Sequence, residues 1–196
     1  MAAMAKSQRM ISRLPMELLL AAGLVGLDVV ARVLPHAPNF TPIAASAIFA
    51  GTILRSRALA LAVPLTAMVL GDFLLGGYDW RVMAVVYGAL TLPALLAMAG
   101  RRLRAPIVIV PVVLSSSLIF FVTTNFAVWA WSGIYPLTMS GLGHCYLAAL
   151  PFSQNTLCGD MLWSAALFGG WWLARHALAN TPLPLVPAQA GTQATK

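Results

Sequence analysis

Charge is what this sequence has least of. Only 9% of its residues are Asp, Glu, Lys or Arg, just five are acidic, and 60% are hydrophobic. With a mean hydropathy of +0.85 over 196 residues, a water-soluble domain is excluded, because too few charges remain to cover its surface. Cysteine is nearly absent as well. Cys145 and Cys158 are too few for a disulfide framework and lie in no CxxC or Cys/His zinc spacing. At most they form one bridge in an oxidising compartment. No cofactor motif occurs, and the GxSxG of serine hydrolases is missing. The net charge of +7 does not indicate nucleic acid, since the basic residues come in small groups between apolar runs and never as one patch.

What the sequence does have is a succession of apolar runs bounded by charge or turn residues, at about 16–34, 42–54, 59–77, 82–100, 107–131 and 157–173. They predict an all-α integral membrane protein of six transmembrane helices. The membrane domain is expected at 16–175, between a cytoplasmic N-terminal segment, 1–15, and a flexible cytoplasmic tail, 176–196, rich in Pro, Gly and Gln. Lys6, Arg9 and Arg13 precede the first run as in a signal peptide. Asp28 interrupts that run, however, and no small-x-small cleavage site follows it, so it reads as a retained helix.

The basic residues orient the set. Lys6, Arg9, Arg13, Arg55, Arg57, Arg101, Arg102, Arg104, Arg175 and Lys196 fall on one side, and only Arg32 and Arg81 on the other. By the positive-inside rule both termini are cytoplasmic in a bacterial inner membrane, and the connections near His36, Asp79 and 132–156 face outward.

Glu17 falls at the inner mouth of the first helix, in reach of water or Arg13. The other acids, Asp28, Asp72, Asp79 and Asp160, fall on the outer side, with Asn39, Asn125, His144 and Asn155 at similar depth. Ionisable groups inside a membrane cost several kcal/mol unless they face partners or a wet cavity, so these residues are expected to converge. Local explanations compete with that reading. Asp28 and Arg32 have the spacing of a helical ion pair. Asp160 fits the first turn of a helix, and Asn155 or Thr156 fits its cap. His144 reads more readily as a solvated loop residue than as a ligand. Asp72, in "MVLGDFLLGG", has no basic residue three or four positions away and is the strongest functional candidate.

The second run is short. From Pro42 to Leu54 a helix rises about 20 Å, against a hydrocarbon core of roughly 30 Å. Thr41-Pro42 marks a helix start. The preceding "HAPNF" is then irregular backbone at membrane depth, which survives only where protein or a water-filled cavity lines it. A short, Pro-interrupted span points to a binding site. "GHCYLAALPFSQN" is too short to span and is expected to lie over the cavity as a lid or interfacial turn.

The motifs "LPHAPNFTPIAA", "LGDFLLGGYDW", "TTNFAVWAWSGIYPLT" and "LPFSQNTLCGDMLW" resemble a bacterial membrane family of unassigned function. That family is itself similar to the substrate-binding S components of energy-coupling factor (ECF) transporters. The resemblance makes Asn39, Phe40, Pro42, Asp72, Asn125, Asn155 and Asp160 signature positions and implies an S-component-like bundle with a short or broken second helix. It also implies a binding and uptake subunit for a vitamin-like molecule or a metal ion. Its partners would be the lipid bilayer, an ECF transmembrane protein with its ATPases, and a small-molecule substrate. The binding set is expected to comprise Asn39, Thr41, Asp72, Asn125, Asn155, Asp160, Asp28, Arg32 and His144, with no cofactor and no metal assigned. The "GGYDW" motif lacks the cysteine with which a solitary S-component-like transporter holds cobalamin. A structural or assembly role is the alternative. An intramembrane aspartyl hydrolase is disfavoured, because a GxGD pattern at Asp72 or Asp160 would need glycine where Val69 and Leu157 stand. The chain is therefore expected not to be an enzyme.

Overall fold

A computed structural model describes residues 14–101 and 105–180. Lys6, Arg9, Arg13, Arg102, Arg104, Lys196 and nearly all of both terminal segments lie outside the described residues. Among the described residues there are six α-helices and no strand: α1 Leu14–Val33, α2 Ile43–Ile53, α3 Arg57–Leu75, α4 Trp80–Ala99, α5 Ala105–Trp131 and α6 Met139–Asn180. Four of them, α1, α3, α4 and α5 from Ile109 onward, are long and apolar enough to cross a membrane. The outward surface agrees: Phe73 is 84% and Trp80 74% exposed, a covering that lipid tails satisfy and water does not.

The short helix α2 is short because it is interior. Every residue from Ile43 to Gly51 is buried, and α2 packs against all five other helices. A helix surrounded by protein needs no polar face, which explains the run "IAASAIFAG", apolar or small throughout with Ser46 as its one polar side chain. Its small residues set the packing distance. A Cβ at Gly51 would lie 2.5 Å from the Ala94 carbonyl oxygen and 2.9 Å from the Ala97 Cβ, so α2 and α4 touch backbone to backbone. Larger side chains fill the far side, where Phe49 meets Phe168 and Trp171 edge-on at 5.2 and 5.8 Å.

Both ends of α2 are fastened. At the start, Ser46 N–H donates to the Pro42 carbonyl at 2.7 Å, so Thr41-Pro42 opens the helix as expected. At the finish, the Arg101 guanidinium donates to the carbonyls of Gly51 and Leu54, which a helix end leaves unpaired. Glu17 of α1 accepts the backbone N–H groups of Arg55 and Ser56 at 3.3 and 3.0 Å. That carboxylate closes the α2–α3 turn instead of standing free at a helix mouth.

Helix α6 corrects the sequence reading. It runs 42 residues without interruption, about 63 Å of rise, so residues 143–155 are helix and form no lid. Pro151 lies inside it. Asn155 and Thr156 are not caps; the Thr156 hydroxyl donates to the Phe152 carbonyl at 3.0 Å. Asp160 lies mid-helix, not in a first turn. The additional turns are held by α5: Tyr146 donates to the Val122 carbonyl at 2.7 Å, and the Cys145 thiol lies 3.4 Å from the Asn125 carbonyl. Cys145 and Cys158 are free. Thirteen residues apart on this one helix, they are separated by about 20 Å of rise and cannot bridge. The α3–α4 connection is also local in its chemistry. Asp79 caps α4 by accepting Arg81 N–H at 2.9 Å, and the hydrogen bonds from Arg81 hold its carboxyl down at about 2.

The α2–α4 contact yields a paired prediction. Gly51→Ala should lower unfolding stability in detergent by about 1–3 kcal/mol, because neither backbone can yield. Gly88→Ala, where a Cβ meets nothing within 4 Å, should be neutral or slightly stabilising. Thermal unfolding followed by circular dichroism checks both, and equal behaviour of the two variants would refute the close approach.

Candidate functional site

The site begins at the last turn of α1, where Arg32 crosses to α3. It can do so because residue 71 is glycine: a Cβ there would lie 2.7 Å from Arg32 Cδ. The guanidinium pairs with Asp72, and Tyr87 of α4 donates to the other carboxylate oxygen at 2.7 Å. Asp72, only 4% exposed, thus receives its counter-charge from a residue forty positions earlier. The expected Asp28–Arg32 helical pair does not form. Asp28 is instead fully buried and accepts from the Ser46 hydroxyl of α2 at 2.7 Å. Its second oxygen is buried with no partner among the described residues.

Beside the Arg32 pair lies a cavity of about 350 Å³. The α1–α2 loop contributes His36, Asn39 and Thr41, α2 contributes Ile43 and Ala44, and α4 contributes Val86 and Leu90. Ser116 and Phe120 of α5 and Thr156 and Asp160 of α6 complete the wall. A second cavity, of about 280 Å³, shares Asn39, Tyr78, Val86, Phe120 and Thr156 with the first and extends to Asn125. Tyr78, in the α3–α4 connection, has its hydroxyl pushed up to about 12 by burial and by the negative charge of Asp72, with Arg32 opposing.

Two local features hold the wall in place. Asn39 has φ of 62°, the left-handed region that asparagine tolerates better than most residues. With Phe40 N–H donating to the Ala37 carbonyl at 3.0 Å, this turn brings Asn39 to both cavities. The second feature is Gly159, where a Cβ would lie 3.3 Å from Phe40. Its absence lets α6 approach the loop and sets Asp160 into the wall. Asp160 is 4% exposed and accepts from the Ser117 hydroxyl of α5 at 2.7 Å. Ser116, 2% exposed, has no hydrogen-bond partner for its hydroxyl among the described residues.

The structure therefore brings together Arg32, Asn39, Thr41 and Asp160 around one cavity and places Asn125 on its neighbour. Asp72 stands behind Arg32. Asp28, Asn155 and His144 line neither cavity, and His144 is exposed. Sequence reasoning missed Ser46, Tyr78, Tyr87, Ser116 and Ser117. The serine run "SSS" at 115–117 inside an apolar helix was the one signal that could have found the last two. The two Gly-Asp pairs also have a structural cause. Each glycine admits a neighbour, Arg32 or Phe40, and each aspartate has its own partners, so Asp72 and Asp160 form no shared-proton dyad. Among the described residues no group of three or more His, Cys, Asp or Glu is gathered for a metal ion.

Comparison with known families gives a match over residues 12–183 to DUF6580, a family of unknown function. No curated protein and no solved structure matches the chain. The family match does not extend to ECF S components.

Coupling across the Arg32–Asp72 pair is measurable. Asp72→Asn alone leaves a largely buried guanidinium without its counter-charge and should cost about 3–5 kcal/mol of stability. Adding Arg32→Met should recover most of that loss. A double-mutant cycle in detergent unfolding reads the coupling, and strictly additive losses would show that the two residues act independently.

Proposed function

We propose that this chain, which belongs to the DUF6580 family, is a membrane-embedded binding and uptake subunit for a small molecule, similar in plan to ECF S components. One observation carries the reading. An apolar bundle surrounds a cavity of about 350 Å³ whose wall includes Arg32, Asn39, Thr41 and Asp160. Polar groups inside a membrane are costly, and their gathering around empty space is best explained by a ligand. A purely structural role would account for the Arg32–Asp72 pair and for asparagine in the left-handed turn at 39, but gives no reason for a buried Ser116 hydroxyl without a partner among the described residues beside Asp160 in the cavity wall.

Orientation follows from the basic residues. With Arg55, Arg57 and Arg101 cytoplasmic, the α1–α2 loop and the cavity mouth face outward across a bacterial inner membrane. Energy for uptake would come from an ECF transmembrane protein and its ATPases. Ala22 and Gly26, exposed on α1, are small enough to admit a partner helix. The reading assigns binding and no chemical step, and no nucleic acid.

Orientation and mouth are tested together by single cysteines in a Cys145→Ala, Cys158→Ala background. Asn39→Cys, exposed in the loop, should react with a membrane-impermeant maleimide added to intact cells. Ile48→Cys, which is 0% exposed, should not react, and Arg55→Cys should react only after permeabilisation. Reversed labelling of positions 39 and 55 would turn the cavity inward. The ligand itself is sought by mass spectrometry of small molecules released from protein purified in mild detergent. Wild type should release a molecule that Asn39→Ala and Thr41→Val do not retain, and an empty wild type would count against the binding function.

A further inference from the structure

The charges around the cavity do not balance. Among the described residues the ion pairs, with nitrogen and oxygen within 4.0 Å, are Arg32–Asp72 and Arg81–Asp79. Arg32 lines the cavity but is already paired with Asp72 behind it, and Arg81 belongs to the cap of α4. Two buried carboxylates, Asp28 and Asp160, have only a serine hydroxyl for a partner, and of the two only Asp160 faces a cavity. It lies in the cavity wall, nearly buried, and its one partner is the neutral hydroxyl of Ser117. A carboxylate held at low dielectric with no cation beside it is incomplete, since burial weakens its hydration and nothing in the protein replaces it. Its surroundings are unfinished as well. The buried hydroxyl of Ser116, next to Ser117 and in the same wall, has no partner among the described residues.

We propose that the cavity binds an organic monocation, an amine or amidine with a compact apolar body, whose positive group rests on Asp160. This rests on the binding reading above and adds the chemical class. The cation supplies the missing counter-charge through a charge-assisted hydrogen bond. Ser116 offers its hydroxyl oxygen to a second N–H of the same group. The apolar body lies against Ile43, Leu90 and Phe120, and rings in the wall, Phe120 and Tyr78, favour a cation near their faces. A divalent metal ion fits less well, because Asp160 has no second and third carboxylate, imidazole or thiolate gathered beside it among the described residues. An anion would meet an uncompensated negative charge, with an Arg32 already engaged.

Benzamidine, benzyl alcohol and benzoate have one ring and differ in charge, so they separate the classes. Each is titrated at millimolar concentration into full-length protein in lipid nanodiscs at pH 7, and binding is read from the thermal unfolding midpoint and from calorimetry. Benzamidine should raise the midpoint, and the other two should not. Asp160→Asn should weaken benzamidine about 10- to 100-fold, the range expected for loss of one charged hydrogen bond. Asp79→Asn, outside both cavities, should leave it unchanged. If Asp160→Asn fails to fold, the wild-type ranking of the three compounds still decides the matter. Preference for benzoate, or equal binding of all three, overturns the cation assignment while leaving a binding protein. Failure of all three to bind also overturns it, and the binding function then stands on whether wild type releases a bound molecule. An anionic molecule released there would overturn the cation class independently.

Discussion

Everything in this bundle is arranged around α2 and its burial on all sides. An eleven-residue helix cannot span a bilayer, and alone in lipid its unpaired ends would be prohibitive. It is stable because five helices enclose it, because Pro42 opens it and because Arg101 donates to the carbonyls at its end. The cavity follows from the same constraint. Since α2 begins well inside the bundle, the chain from Pro35 to Pro42 must reach it as irregular backbone. The space beside that backbone cannot be filled by a continuing helix, and the loop residues His36, Asn39 and Thr41 turn toward it.

Two glycines then decide which charges can enter. Gly71 opens a passage over α3, so a guanidinium from α1 reaches Asp72; Gly159 lets α6 approach Phe40, so Asp160 comes into the wall. In both cases the missing side chain is as important as the acid that follows it. A methyl group at either position would separate the helices and leave a carboxylate facing an apolar neighbour, the costly arrangement that membrane interiors select against.

How much of this was legible in the sequence depends on how far each interaction reaches along the chain. Helices α1 to α5 and the short α2 were legible because apolar runs and a Thr-Pro start are local signals. The gathering was legible in part: Asn39, Asn125 and Asp160 follow from depth once the spans are placed, whereas Asp28, His144 and Asn155, expected at similar depth, line neither cavity. The Arg32–Asp72 pair was not legible. Its partners are forty residues apart, whereas Asp28 offered Arg32 a closer and false partner at helical spacing. Nor was the continuity of α6, because "GHCYLAALPFSQN" is an apolar stretch too short to span and reads as separate from the run that follows it. What holds the helix is tertiary: Tyr146 and Cys145 fasten α6 to α5, the Trp129 indole N–H donates to the Pro136 carbonyl of the connecting loop at 3.0 Å, and such contacts leave no periodic trace. Ser117 was missed for a related reason, since a serine on an apolar helix becomes informative only when the acid opposite it is known.

The two cavity-side carboxylates, finally, divide the labour that either alone would confuse. Asp72 is saturated: a guanidinium on one side and the Tyr87 hydroxyl on the other leave it no capacity for a ligand, and a helix crossing is what it secures. Asp160 has a hydroxyl where Asp72 has a full charge. If both acids had been compensated internally, the cavity would be electrostatically indifferent to what enters it; if neither had been, two nearby negative charges would oppose the folding of the bundle itself. With Asp72 neutralised and Asp160 left with a hydroxyl alone, Asp160 is, under the proposed cation reading, the acid whose charge would select a ligand, since specificity comes from the interaction the protein leaves incomplete.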